Sequence, residues 1–215
     1  MPDIFHHETL YRGARALEQL GKVHLTVCGA GAVGSNLALH LARQGVQNLR
    51  VIDFDRVEAH NIGTQSYTSD DVGMAKVEAL QAEVFRAVGV EIEGVRKELT
   101  QANAGKLLAG TDVVVDGFDN HAARAAVTEH CRAASLPCLH VGLNADYAEI
   151  LWNETYRVPQ DVVAAGANVC EYPLARALIL FAVALAGESL VRYMLEKRCE
   201  NYSFTLRDLQ INRES

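Results

Sequence analysis

One stretch, Lys22 to Asp55, constrains this chain more than any other: KVHLTVCGAGAVGSNLALHLARQGVQNLRVIDFD. It reads strand, glycine turn, helix, strand. Val23, Leu25 and Val27 alternate toward the turn, and Gly29, Gly31 and Gly34 carry the spacing G-x-G-x-x-G. Leu37, Leu39, Leu41 and Ala42 fall into a helical run that Gly45 ends. Leu49 to Ile52 makes a second strand, and Asp53 stands at its tip, 19 residues after Gly34. Such a β-α-β unit binds a nucleotide. Glycines let the backbone turn sharply and approach a phosphate. The helix start offers free N–H groups and a positive dipole end. A carboxylate at the strand tip suits a ribose hydroxyl. Which nucleotide is bound is decided by residues further along.

The chain of 215 residues predicts a single α/β domain, 1–215, with a Rossmann-like, mostly parallel sheet, helices on both faces and late antiparallel strands. Thr9 to Leu20 reads as a short helix on which Arg12 and Arg15, three apart, share a face. Residues 53–73 have no period and form a long loop beyond a strand's carboxyl end, where open α/β sheets bind ligands. Ala75 to Val88 is a helix with Val77, Leu80, Val84 and Val88 at core spacing. Lys76 in its first turn opposes the helix dipole, so a bound phosphate or plain exposure must account for it. Val90 to Glu98 is an edge-side strand, and Gln101 to Ala109 a short helix. Asp112 to Asp116 is an apolar run of central parallel-strand type. It ends at Gly117-Phe118-Asp119-Asn120, before a helix from His121 to Ala134. Leu136 to Leu143 contains the next strand. Ala148 to Arg157 and Ser203 to Ile211 are later strands. A long helix from about Pro173 to Glu196, apolar nearly all round from Ala177 to Ala186, is expected to be buried on every side. One of its faces packs on the sheet. Another meets either more of the same subunit or a second one.

Net charge is −7, which argues against a broad nucleic-acid or anionic-membrane surface. The longest apolar run, Ala177 to Gly187, falls short of the roughly 20 residues a membrane span needs. Five cysteines without a CxxC pair fit a reducing cytoplasm better than a disulfide framework. Cys138 and His140 share a strand face, but His130 and Cys131 lie on a helix end, and no tight metal spacing exists.

Parallel strands bring Asp53 and Asp119 to one crevice. Asn61, Gln65 and Lys76 border it. Such a set holds a nucleotide triphosphate, with Asp119 taking Mg²⁺, a hard cation that prefers carboxylate and phosphate oxygens. A dinucleotide site would need neither Lys76 nor Asp119.

These residues also resemble a known family. GAGAVG (Gly29 to Gly34), VIDFD (Val51 to Asp55), NIGTQ (Asn61 to Gln65), DDVGMAKVEAL (Asp70 to Leu80) and DVVVDGFDNHAAR (Asp112 to Arg124) look like the ThiF/MoeB/E1 superfamily, in the same order, over roughly Leu10 to Leu195. Its enzymes adenylate the C-terminal glycine of ubiquitin-like and sulfur-carrier proteins. The resemblance implies ATP, Mg²⁺ and a homodimer. Gly29, Gly31, Ala32 and Gly34 match its phosphate turn, and Asp53 its ribose aspartate, with Asp55 and Asn120 beside these motifs as further nucleotide contacts. Asn61 and Lys76 match phosphate-contacting positions, and Asp119 the Mg²⁺-linked aspartate. In RGAR, Arg15 matches the second arginine of an R-x-x-R that reaches into the partner subunit's ATP site. Gln65 and Arg124 match positions read as partly structural.

Three departures stand out. The family loop N-x-x-R-Q carries an arginine on the triphosphate, and here Thr64 replaces it, removing one charge-assisted contact. Either another arginine, Arg56 or a partner's Arg15, compensates, or turnover is weakened. The family's two CxxC zinc pairs are absent, so no structural zinc is expected. Residues 157–169 are short beside the crossover loop that clamps a carrier tail. Cys170 lies near a cysteine that some relatives use for a thioester. It is either that nucleophile or a small buried residue. Besides the adenylating enzyme, the residues admit a weakly active pseudo-enzyme that serves as a dimer partner, an NAD-dependent oxidoreductase, or related chemistry on a tRNA base.

Overall fold

The computed structural model of the protein describes residues 4–153, 155–159 and 173–214. Cys170 and most of the crossover between the late strands and the long helix lie outside them. The described strands are β1 (His24–Cys28), β2 (Asn48–Ile52), β3 (Glu93–Val95), β4 (Val113–Asp116), β5 (Cys138–Asn144), β6 (Tyr147–Trp152), β7 (Asn201–Thr205) and β8 (Ile211–Glu214). The helices are α1 (His6–Arg12), α2 (Ala14–Leu20), α3 (Ala32–Arg43), α4 (Lys76–Val88), α5 (Ala104–Leu107), α6 (His121–Ala133) and α7 (Arg176–Glu196).

The strands join one sheet in the order β3-β2-β1-β4-β5-β6-β7-β8. β3, β2, β1, β4 and β5 run parallel. β6, β7 and β8 continue the sheet antiparallel. Apolar residues lie on both faces of the parallel strands because helices cover both. Leu25, Val27, Leu49, Val51, Val113 and Val115 meet α3, α4 and α7 on one face. Cys28, Ile52, Val114 and Cys138 meet α5 and α6 on the other. The chain crosses from β1 to β2 and β3 on one side, then returns to β4 on the other. The strand order therefore reverses between β1 and β4, the place where such sheets bind ligands.

Four expectations change. The N-terminal helix is two helices, because Gly13 breaks it at φ +88°. Arg12 and Arg15 thus lie on separate helices and share no face. Arg12 turns inward to Glu8 and to Glu188 of α7, each at 2.7 Å. The strand expected over Ser203 to Ile211 is a hairpin. The Asp208 carboxylate accepts the Gln210 N–H at 3.0 Å, and Leu209 sits at φ +56°, so the chain reverses there. The expected strand over Val90 to Glu98 keeps only the three residues of β3 in the ladder. Finally, α7 is not buried on every side. It packs on α2, α3, β5 and β6, but Ala177, Leu180, Phe181 and Ala184 form an open stripe. With 21 residues α7 is long and apolar enough to cross a membrane by length and composition, yet more than half of its apolar window is buried inside the protein.

The C-terminal hairpin is tied to α7 through one carboxylate. Glu200, 6% exposed, accepts Tyr202 Oη at 2.7 Å, Arg198 at 2.7 Å, Arg213 at 3.0 Å and Arg192 at 3.2 Å. The Tyr202 hydroxyl, then Arg198 and Arg192, hold its pKa down at about 2. A depressed carboxylate stabilises the fold above the ordinary range, about 4.3 for Glu, and loses that contribution as pH falls through its folded value. Wild-type protein and Glu200→Gln should therefore differ by a constant gap in thermal midpoint from pH 7 to 5. The gap should shrink steadily from pH 4.5 toward 2, as followed by circular dichroism.

Candidate functional site

The glycine turn is built by close approach. A Cβ on Gly34 would lie 1.8 Å from the Gly29 carbonyl oxygen, so only glycine lets α3 fold back on the turn. Gly29 itself sits at φ +93° with Gly117 and Phe118 against it. Gly31 differs, for a Cβ there would meet nothing within 4 Å. It is also the N-cap of α3, with no side chain capping the helix. The first-turn N–H groups of α3 therefore face an open cradle, the arrangement that takes an anion.

The cradle is fixed from two directions. Ala30 N–H donates to Asp53 Oδ2 at 2.7 Å, and Tyr67 Oη donates to the Ala30 carbonyl at 2.8 Å. Asp53 Oδ1 accepts the Asp55 N–H at 2.8 Å. Burial raises the Asp53 pKa, against the pull of Lys76 and these two N–H groups. Two of the four acceptor sites on the carboxylate are used, leaving two for a hydroxyl.

Lys76 is 7% exposed, and its Nζ lies 3.0 Å from Asp55 Oδ2. Its place at a helix start is thus explained by a neighbouring carboxylate, not by exposure. One of three ammonium donors is spent, and the others remain for a phosphate. Asn61 is 6% exposed, and its Oδ1 accepts the Glu58 N–H at 2.9 Å. The loop that follows is pinned to α3. Asn36 Nδ2 donates to the Thr64 carbonyl at 2.9 Å, and Ser66 N–H donates to Ser35 Oγ at 3.2 Å. Gln65 lies between these ties, and its Oε1 is a buried acceptor without a partner among the described residues.

Across the turn, Cys28 is level with Ile52 on β2 and with Asp116 on β4. Asp53 and Asp119 therefore leave the sheet on either side of the glycine turn. Asp119 is exposed, with no hydrogen bond or ion pair among the described residues. Asn120 caps α6, its Oδ1 accepting the Ala123 N–H at 2.9 Å. Beneath them lies a buried polar cluster. Arg124 donates to Tyr156 Oη at 2.9 Å and to the Val141 carbonyl at 3.0 Å, 3.7 Å from Asp116. Burial opposes the Arg124 charge, but Asp116 and Tyr156 outweigh it and raise the pKa. His140 is fully buried, held by Asp116 at 2.9 Å and Asn153 at 3.1 Å, and stacked on Tyr156. Both of its ring nitrogens are engaged. No group of three or more His, Cys, Asp or Glu side chains among the described residues is placed to hold a metal.

The structure thus brings Gly29, Gly31, Ala32, Gly34, Asp53, Asp55, Asn61, Gln65, Lys76, Asp119 and Asn120 around the same strand ends. It does not bring Arg15 there. Leu17, two residues on, packs against Gly45 beyond the far end of α3, roughly 18 Å from the glycine turn along a 12-residue helix. Arg15 is exposed there and has no partner among the described residues. Sequence reasoning missed Asn36, Tyr67 and the pair Asp116 and His140. Asn36 left a signal, being a poor helix former within an apolar helix.

A family model described as the ThiF family matches residues 7–205. The chain belongs to the ThiF family. Relatives within reach of this ThiF chain include the SAMP-activating enzyme E1 of Haloferax volcanii, 37% identical over 54% of this chain and 44% of its own length. The tRNA threonylcarbamoyladenosine dehydratase of Escherichia coli is 31% identical over 71% of this chain and 59% of its own. The sulfur carrier protein adenylyltransferase of Thermus thermophilus is 33% identical over 59% and 48%. The chain thus spans about half the length of these curated relatives. Among solved structures, E. coli MccB with ATP superposes with TM-score 0.83 at 15% identity over 100% of this chain and 72% of that one. E. coli TcdA with ATP gives 0.77 at 21% identity, over 90% and 94%. At these identities the likeness establishes the fold.

The two glycines separate folding from binding. Gly31→Ala should cost about 1 kcal/mol or less of stability, the difference between glycine and alanine at an N-cap. It should still abolish ATP binding, because its Cβ fills the cradle. Gly34→Ala should fail to fold stably. Calorimetric ATP titration beside thermal melts checks both.

Proposed function

We propose that this ThiF-family chain uses ATP to adenylate the C-terminal carboxylate of a ubiquitin-like or sulfur-carrier protein. The observation that carries the reading is the open cradle at Gly31, with Lys76 on one side and the exposed Asp119 on the other. The likeness to the Haloferax SAMP-activating enzyme E1 and the Thermus sulfur carrier protein adenylyltransferase supports it. First-turn N–H groups of α3 and Lys76 Nζ neutralise phosphate charge. Asp53 takes the ribose hydroxyls. Asp119 is the carboxylate that would hold Mg²⁺, whose contribution when bound is charge neutralisation on the phosphates. A carrier carboxylate oxygen attacks the α-phosphorus, the bond to the bridging oxygen breaks, and pyrophosphate leaves. The attacking group is already an anion, so no side chain acts as a base. The fixed donors stabilise charge that grows in the transition state.

A homodimer is part of this reading. The open stripe of Ala177, Leu180, Phe181 and Ala184 on α7 offers an apolar contact, and Arg15, remote from its own cradle, is free to serve a second one. A cytoplasmic location is supported by Cys28, Cys131 and Cys138 being buried thiols outside any disulfide. A second acceptor, a modified tRNA base, is supported by the dehydratase match, which covers more of this chain than the other two relatives do. The net charge of −7 weighs against it.

ATP–pyrophosphate exchange tests the proposal. Exchange should appear with carriers ending in Gly-Gly and not with tRNA, and Asp119→Ala should reduce it by about a hundredfold or more, as loss of a transition-state electrostatic contact does. Exchange that needs tRNA and ignores carriers would establish the second acceptor. In the same reactions, a thiol-labile carrier adduct on Cys170, lost in Cys170→Ser while exchange persists, would add a thioester step.

A further inference from the structure

The loop at 61–65 carries Thr64 where a phosphate-binding arginine is expected, and two other arginines are committed elsewhere. Arg56 donates to the Gly73 carbonyl at 2.6 Å, and Arg12 is locked to Glu8 and Glu188. A different guanidinium lies at that loop. Arg176, the first residue of α7, places Nη1 3.4 Å from the carbonyl oxygen of Gly63, the residue before Thr64. It is exposed and has no carboxylate partner among the described residues.

Its position is locally unfavourable. A cation in the first turn of a helix opposes the dipole, and α7 has neither an acidic residue in that turn nor a side-chain cap. Lys76 poses the same problem at the start of α4 and is answered there by Asp55. Arg176 has no such answer within the described protein. The loop it touches is tied to the glycine turn's own helix, because Asn36 of α3 holds the Thr64 carbonyl. A cation at Gly63 is therefore positioned beside the cradle. A Cβ at Gly63 would meet nothing within 4 Å, so space is open next to the guanidinium.

We infer that Arg176 supplies, from α7, the triphosphate contact that Thr64 cannot make. The inference rests on the reading of the cradle as an ATP site. It assigns the outer phosphates to Arg176, so the contact exists with ATP and not with AMP. Guanidinium forks suit such oxygens better than an ammonium does. The guanidinium reaches the loop from the first residue of α7 and not from the loop itself.

Calorimetry with Mg-ATP and with AMP on four proteins tests this: wild type, Arg176→Ala, Arg176→Lys, and Arg176→Ala with Thr64→Arg. Arg176→Ala should weaken ATP about tenfold or more, the size of a hydrogen bond to a charged group, and leave AMP unchanged. Arg176→Lys should recover part of the loss, and Thr64→Arg on the alanine background most of it. ATP binding by Arg176→Ala as tight as wild type would overturn the inference while leaving the ATP site standing. Equal losses for ATP and AMP would also overturn it, as a purely structural effect. Wild-type protein that binds no ATP would overturn the proposed function as well.

Discussion

The Asp53 carboxylate is the interaction on which the site's geometry depends. One oxygen holds the Ala30 N–H inside the glycine turn, and the other holds the Asp55 N–H in the loop after β2. Two loops from neighbouring parallel strands are thereby fixed against each other. Tyr67 locks the same residue, Ala30, from its carbonyl side. A buried carboxylate costs free energy unless it is hydrogen-bonded, and here both bonds are to backbone amides that would otherwise lack partners. The acid that is expected to meet a ribose is thus also a structural clamp.

A second layer of polar residues lies under the opposite lip. Asp116, Arg124, His140, Tyr156 and Asn153 form one buried network at the ends of β4 and β5. Removing one partner from such a network leaves another charge unpaired, at a cost of about 3–5 kcal/mol. Its effect is to fix the segment from Asp116 to Asn120, at whose end Asp119 and Asn120 are exposed. The two acids flanking the turn are therefore held differently. Asp53 is buried and bonded, whereas Asp119 is free to meet a ligand.

Much of this was legible in the sequence because it is local. Glycine spacing, a strand's apolar run and a helical period are properties of a few consecutive residues, and the parallel core with its glycine turn follows from them. The ThiF resemblance extended that reading across the chain, and the family match bears it out. What escaped depends on distant partners. Nothing near Lys76 in sequence announces Asp55, 21 residues earlier, as its counter-ion. Gly13 reads as a tolerable helix residue until its φ of +88° divides the N-terminal helix. The stretch from Ser203 to Ile211 has one apolar pattern, and only the Asp208 turn makes it two strands. Arg176 and Gly63, 113 residues apart, meet only in the folded chain.

In the proposed function, the first turn of α3 is the phosphate site for ATP. Hydrogen–deuterium exchange reads those amides directly. Adding Mg-ATP should slow exchange in peptides covering Gly31 to Ser35 and Lys76, with smaller changes in β7 and β8. Unchanged exchange in these peptides with ATP, and protection there by NADH instead, would contradict the claim.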